Sequence, residues 1–530
     1  MTWSPRAAWL AMAVLLVGLC AAAVGPVYMN HDPAWYLHMA GVWLDGGTLY
    51  RDVVDTNPPL IVFLTAVPVF VSRVLHLPGP LVFKAFVFAA AGLTTLAAIP
   101  FIRRIWHDEY ARFLIGTMLV FLILPFVKTE FGQREHFTVL LTVPYILATC
   151  AYAIGRPAGT GFDATAGALA GLGFAMKPHL LAGFVVFEAA LGVVRRSPRV
   201  WLRPASVGAA AAVALYGAVV VLLVPDYLSV ARDAMQVYGG LNSSAAYLLR
   251  LADLQLWVVG LLLLLVLRLP PAQRGPCVLL FAAATGFLIA AMVQLKGWGY
   301  HLYPSRVLIM LFFAAVVAGI TDAHAQVLDV IRGGKRSINA AVLAAVTIWS
   351  ARYVAEAKKP IATDYVSALA AVIHETRADT FALLGMQGLV YPAFPTTNYS
   401  GTRWVLRHNS LWFLPGLYED EMLRPDHTDA FRRLDAMPPL ERRYFNEIVD
   451  DLCRNPPALL VIEPPIPNAP VVRRSLDLIR YYRQDPRFDR LFSAYGPPRT
   501  IGLYAAYVRQ SPASCGAPQA RAISVSPPTP

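Results

Sequence analysis

Apolar runs of bilayer-spanning length fill the first 355 residues, with short polar stretches between them. A crossing helix needs about 20 apolar residues, with a range of about 17–25. Runs near 7–27, 80–102, 112–127, 136–154, 162–176, 179–194, 204–224, 254–268, 276–294, 304–321 and 338–355 predict about eleven spans. A further run, 60–77, follows Pro58-Pro59 and is long enough either to cross or to lie in the interface. From about residue 360 the period changes. Apolar stretches of strand length (380–384, 458–462 and 500–508) alternate with helical segments near 364–377, 427–435, 440–453 and 471–483. That alternation predicts a small α/β domain. About 150 residues are enough for a core of its own. The chain therefore divides into a membrane domain, 1–355, with an outer loop at 28–79; a soluble domain, 356–510; and a Ser/Pro/Ala-rich tail, 511–530, predicted to be disordered.

Composition sharpens the class. The chain is 57% hydrophobic and 15% charged, against about 45–50% and about 25% for soluble domains. This excludes a soluble enzyme with one anchor. The net charge of +12 does not point to nucleic acid, because the cations sit in short clusters between apolar runs. Arg6, Arg103/Arg104/Arg112, Arg156, Arg195/Arg196/Arg199/Arg203, Arg268/Arg274 and Arg332/Lys335/Arg336 all fall on one side if 60–77 does not cross. The positive-inside rule makes that side cytoplasmic, so 60–77 is read as interfacial. The first run ends near three small residues, Ala21-Ala22-Ala23, which a cleaved signal peptide would also show. The many spans that follow favour a retained helix. Five scattered cysteines show no metal or redox spacing, and Cys453 and Cys515 are free to meet in a disulfide.

The other loops, and the soluble domain, then face outward. They hold the polar chemistry: His31 to Pro59, Lys128 to Phe137, Met176 to His179, and Gln294 to Pro304. Asp32 opens an aromatic-rich segment and, with Pro33 behind it, suits a helix cap. Asp55 caps the stretch before Pro58 or pairs with Arg51. Arg134-Glu135 joins a fork-shaped phosphate donor to a carboxylate favoured at a helix start. Pro178 breaks any helix at Lys177, and His179 follows. Lys296, Trp298, Tyr300, His301 and Tyr303 form a fourth cluster. Each has a plain reading as a cap, a snorkelling lysine or a belt aromatic. Cations in three outer loops and carboxylates in two together suit an anionic lipid phosphate. No Gly-rich nucleotide loop is present. Asp32, Glu135 and His31 are the residues from which a divalent ion would have to draw ligands, but the pattern requires no metal or other cofactor.

Three successive motifs in the first loop carry a resemblance. They are D-x-x-x-Y-L-x-x-A-x-x-W-L from Asp32, G-x-x-Y-x-D from Gly47, and D-x-x-P-P-L from Asp55. With the Arg-Glu pair opening a later span and the Lys-Pro hairpin, they resemble the GT-C glycosyltransferases, the group of protein O-mannosyltransferases and lipid A aminoarabinose transferases. The resemblance covers roughly the first 190 residues. It implies a multi-span helical module with an outer domain, and inverting sugar transfer from a polyprenyl-phosphate donor on the outer leaflet. The family's acidic residues map onto Asp32 and onto Glu135, with Glu130 close by. Asn57 stands where the family carries a charge. Phosphate binding then falls to Arg134, Lys177, Lys296 and His301, and substrate contacts to Asp55, His179, Trp298 and Tyr303. The implied partners are the lipid-linked donor, the bilayer, and an acceptor that is lipid, glycan or protein. The implied location is a bacterial-type inner membrane. A transporter or flippase of a lipid-linked sugar would use the same outer cations without chemistry, and an assembly protein would work through its outer domain alone.

Overall fold

The computed structural model describes residues 5–237, 242–323, 334–357, 364–386, 390–418, 431–465 and 476–516. The chain divides into two compact units. One comprises residues 1–50, 55–232 and 241–361, and the other residues 51–54, 233–240 and 362–530.

The first unit is helical. Its elements are α1 (Pro5–Val24), α2 (His31–Leu44), α3 (Leu60–Leu75), α4 (Gly79–Ile105), α5 (Glu109–Ile123), α6 (Arg134–Ala153), α7 (Thr160–Ala175), α8 (Leu181–Arg195) and α9 (Pro204–Leu223). Then come α10 (Asp226–Val237, whose last turn belongs to the second unit), α11 (Ala245–Leu249), α12 (Ala252–Val266), α13 (Pro271–Val293), α14 (Gly299–Ala323) and α15 (Gly334–Ala357). Each of the eleven predicted runs is a helix. Nine of the described helices are long and apolar enough to cross a membrane. Two expected spans fall short: α7 has 16 residues and α12 has 15, whereas the 3-10 turns Pro125–Glu130 and Pro178–Leu180 extend α5 and α8 to spanning length. The run 60–77 becomes α3, also 16 residues, kinkable at Pro68.

Helix ends follow local rules. Asp108 caps α5 by accepting from Ala111 N–H. Asn30, not Asp32, caps α2: its side chain accepts the Asp32 N–H, which places Asp32 in the first turn. The expectation of Asp32 as the cap is thus corrected, and its carboxylate is released for other work. Small residues set the tightest helix contact. A Cβ on Gly167 or Gly171 of α7 would lie 2.0 or 2.4 Å from the Ala205 or Ala209 carbonyl oxygen of α9. Close backbone approach of this kind replaces hydrophobic driving force in a bilayer.

The helices also sort the loops. Lys84, early in α4, donates to the carbonyls of Val24, Gly25 and Val27 just past α1. At the opposite helix ends the arginine loops meet one another: Arg104 donates to Pro157 O, Arg156 to Arg104 O, and Arg195 to Ala153 O.

The second unit is the predicted α/β domain. Its strands are β1 (Thr380–Leu384), β2 (Arg403–Trp404), β3 (Leu459–Ile462), β4 (Arg499–Ile501) and β5 (Tyr504–Val508), in the order β2-β1-β3-β5-β4. β1 is parallel to β2 and β3, whereas β5 runs antiparallel to β3 and β4. The stretch 500–508, expected as one strand, is a hairpin. Gly502 turns it at φ +58, a conformation that costs glycine little. β2 was not predicted, because two residues carry no period. Tyr365–Thr376 and Pro439–Arg454 match their expected helices, while the segment 471–483 is helical only at Leu478–Tyr482. Within 427–435 the described residues form only the start of a turn, Leu434–Ala436. Residues 427–430, 471–475 and 517–530 of the predicted segments and tail lie outside the described residues. The two cysteines do pair: Cys453 and Cys515 form a disulfide with a Cα–Cα distance of 5.6 Å. The edge of this unit also takes up Val54, whose N–H donates to Arg407 O at 2.7 Å.

Candidate functional site

The site begins with how α6 is pinned. Gly132 precedes it at φ +80, and a Cβ there would stand 2.5 Å from the Phe83 ring. The Gly132 N–H donates to His136 Nδ1 at 3.1 Å, so Nε2 holds the proton and donates to Ile123 O at 2.8 Å. Neutral His136 therefore locks the start of α6 to the end of α5. Thr138 adds a bond to Gly173 O of α7 at 3.2 Å. Asn30 joins α2 to this point. It donates to Thr129 O at 3.0 Å and accepts from Gln133 Nε2 at 3.1 Å.

With the backbones fixed, side chains from four loops converge. Arg134 Nη2 donates to Asp32 Oδ2 at 3.1 Å. Arg134 lies over the Tyr36 ring at 5.2 Å and near the Tyr300 ring at 5.9 Å. Proline after Lys177 disfavours a helical conformation there, and Lys177 is indeed extended, at φ −143 and ψ 141. Its ammonium turns back to Glu135 Oε1 at 2.6 Å and to His301 Nε2 at 3.3 Å, 5.1 Å from the Tyr300 ring centroid. A lysine only donates, so His301 accepts at Nε2 and carries its proton on Nδ1.

The electrostatics follow from burial and proximity. Burial pushes the Asp32 carboxyl up, but His31, Arg134 and Lys177 outweigh it and hold the group below the usual carboxylate range. Asp55, buried nearby, moves the other way: burial raises it, while Arg134 and two hydrogen bonds from Asn57 oppose the shift. Burial, then Arg134, lowers the Lys177 amine to about 8, against the pull of Glu135 and Asp32.

Several buried polar atoms here have no partner among the described residues: Tyr36 Oη, Gln133 Oε1, Arg134 Nε and Nη1, Glu135 Oε2, His179 Nε2 and His301 Nδ1. Buried polar groups are normally satisfied, and unsatisfied ones cost about 1–3 kcal/mol each. Such a concentration leaves both donors (on Arg134) and acceptors (on Gln133 and Glu135) with unused hydrogen-bonding capacity. Asp32 retains 17% side-chain exposure and is reachable.

The sequence-derived residues separate into three groups. Asp32, Arg134, Glu135, Lys177 and His301 form the cluster itself. Asp55, His179 and Trp298 border it: the Trp298 ring lies 5.3 Å from His301, and the His179 ring lies 6.4 Å from it. Lys296 and Tyr303 serve as pegs. Lys296 Nζ donates to Asn242 at 2.7 Å, and Tyr303 donates to Leu122 O at 2.8 Å beneath the His136 ring. The Tyr300 ring, not that of Tyr303, lies beside Arg134 and Lys177. Asn30, Tyr36 and Gln133 were missed as site residues, although Tyr36 stood in the first motif. His31 adjoins Asp32 at 3.6 Å, but Glu135 is engaged by Lys177 instead of joining them. Among the described residues no group of three or more His, Cys, Asp or Glu side chains is arranged to hold a metal.

No family model and no curated protein matches this sequence. Solved structures do. The crystal structure of ArnT from Cupriavidus metallidurans bound to undecaprenyl phosphate superposes with a TM-score of 0.58 at 13% identity, covering 96% of this chain and 98% of that one. The chain has the ArnT fold. It is a multi-pass membrane protein with a small C-terminal sheet. The likeness covers 96% of the chain, well beyond the first 190 residues that carry the sequence motifs.

Proposed function

We propose that this chain is a membrane glycosyltransferase that moves a sugar from a polyprenyl-phosphate carrier to an acceptor on the extracytoplasmic side, with inversion. The observation that carries the reading is the junction of Asp32, Arg134, Glu135, Lys177 and His301, with donor atoms still unpartnered on Arg134 and His301. Its likeness in fold to a structure that holds undecaprenyl phosphate supports the donor class. The disulfide supports an oxidising side for the second unit.

The donor phosphate lies against Arg134, Lys177 and the His301 Nδ1–H. An acceptor O–H or N–H attacks the anomeric carbon from the face opposite the phosphate. The new bond forms as the anomeric C–O bond breaks, and that electron pair leaves on the lipid phosphate. Asp32 takes the acceptor's proton. Its carboxyl is a weak base while the cations hold it low, but a bound phosphate neutralises those cations and lifts it toward working range. Fixed cations at the leaving phosphate supply the charge stabilisation that is usually largest in such sites.

The test uses the purified full-length protein in detergent with a panel of radiolabelled undecaprenyl-phosphate hexoses and pentoses. Release or transfer of sugar, lost in Asp32→Asn, is the expected result. Binding without any release would favour a transporter instead, and absence of binding to undecaprenyl phosphate would overturn both.

A further inference from the structure

A groove lies at the other end of the same helices, among the arginine loops. Trp9 and Leu10 of α1, Ile99 and Ile102 of α4, and Phe113 and Gly116 of α5 form its apolar walls, enclosing about 300 Å³. Gly116 makes it possible: a Cβ there would stand 2.5 Å from the Trp9 indole nitrogen. Arg103, Arg112 and one acid, Glu109, line the rim. Arg112 is held there by its Nε bond to Trp106 O at 2.7 Å. Arg104 is turned away to Pro157 O. The α1 wall faces outward from the bundle, since only 22% of that helix is buried.

We propose that this groove binds an anionic phospholipid, with an acyl chain along Trp9 and Phe113 and the headgroup phosphate between Arg103 and Arg112. An apolar slot alone would accept any tail. Two arginines over one glutamate select a negative head, and guanidinium pairs with phosphate through two parallel hydrogen bonds. Basic pockets between helices on the cytoplasmic side are suited to such headgroups. The groove is separate from the polar cluster, so its occupancy does not depend on what that cluster does.

The test is native mass spectrometry of the full-length protein from micelles doped equally with phosphatidylglycerol and phosphatidylcholine. Each rim arginine is worth about fivefold in retention, so phosphatidylglycerol is expected to exceed phosphatidylcholine by about 25-fold. Arg103→Gln with Arg112→Gln abolishes the preference. Arg268→Gln with Arg274→Gln, two exposed cations of another loop, leaves it intact. Leu10→Trp, at a position 59% exposed and so safe for folding, fills the mouth and lowers retention of both lipids. Equal retention of the two lipids by the unaltered protein overturns the proposal. So does a preference that survives loss of Arg103 and Arg112, or one that falls equally in the control pair.

Discussion

Two buried polar clusters in the helical unit are built from nearly the same side chains and behave as opposites. In the first, Glu188 of α8 accepts Arg203 Nη2 at 2.7 Å and the Tyr145 hydroxyl on one oxygen, and Ser206 Oγ at 2.7 Å on the other. Arg203 lies over the Tyr145 and Tyr152 rings, and its Nε has no partner among the described residues. In the second, Arg134 has a single bond and Glu135 an idle oxygen. A saturated carboxylate ties α6, α8 and α9 together and has nothing left to offer. An open one keeps its hydrogen-bonding capacity for something that arrives. Charge inside a bilayer protein marks function only when its valences remain unfilled.

The sharpest way to break this comparison is Asp32→Asn. Sugar release should fall by about 10²–10⁴-fold, with the thermal midpoint unchanged. A variant retaining more than about a tenth of the activity would remove Asp32 from the base role. Glu188→Leu is the mirror experiment. It leaves Arg203 buried and unpaired, which costs about 3–5 kcal/mol of stability, while turnover per surviving folded molecule should hold. Denaturation in detergent, beside activity normalised to folded protein, reads both. Lost turnover at full stability would make the Glu188 cluster catalytic and reverse the assignment.

Lys177 gives the next effect. With its amine at about 8, it is charged below that pH and loses charge above it. Affinity for undecaprenyl phosphate should fall up to about tenfold per unit above pH 8. Because the folded value lies below the unfolded one, the unfolded chain binds more protons between about 8 and 10.5. The lysine's contribution to stability therefore rises with pH across that window. Binding titrations from pH 6 to 9.5 check the first point, and Lys177→Arg should flatten the curve. The smallest effect is at Tyr300, whose ring faces both Arg134 and Lys177. Tyr300→Leu should weaken undecaprenyl phosphate binding by about 2–30-fold, the range of a cation–π contact, and Tyr300→Phe should not. Equal losses would assign the role to the hydroxyl.

Much of this was legible along the chain because hydropathy is local. The span pattern, the switch to a short period near residue 360 and the segregation of arginines need only composition in a window. The Asp32, Arg134-Glu135 and Lys177-Pro178 motifs were visible because each interrupts an apolar run. Asn30 and Gln133 were not, since amides at helix starts are commonplace. Only the bond between them shows their purpose. The different placing of Tyr300 and Tyr303 was hidden for a related reason. Both lie near the start of one helix, and which ring faces the cations depends on the rotation of α14 against α5. The hairpin at Gly502 was hidden because two β-strands with a tight turn read as one apolar stretch.

The sequence alone determined that the chain lives in a bilayer, that its polar groups gather at one set of helix ends, and that a separate domain follows. Those properties come from transfer free energies, which each segment carries with it. Only the tertiary structure decided which charges are used up and which are left open. Asp32 with Arg134, and Glu135 with Lys177, stand about a hundred and about forty residues apart along the chain. Whether a hydrogen-bonding valence is filled depends on neighbours that only packing brings together.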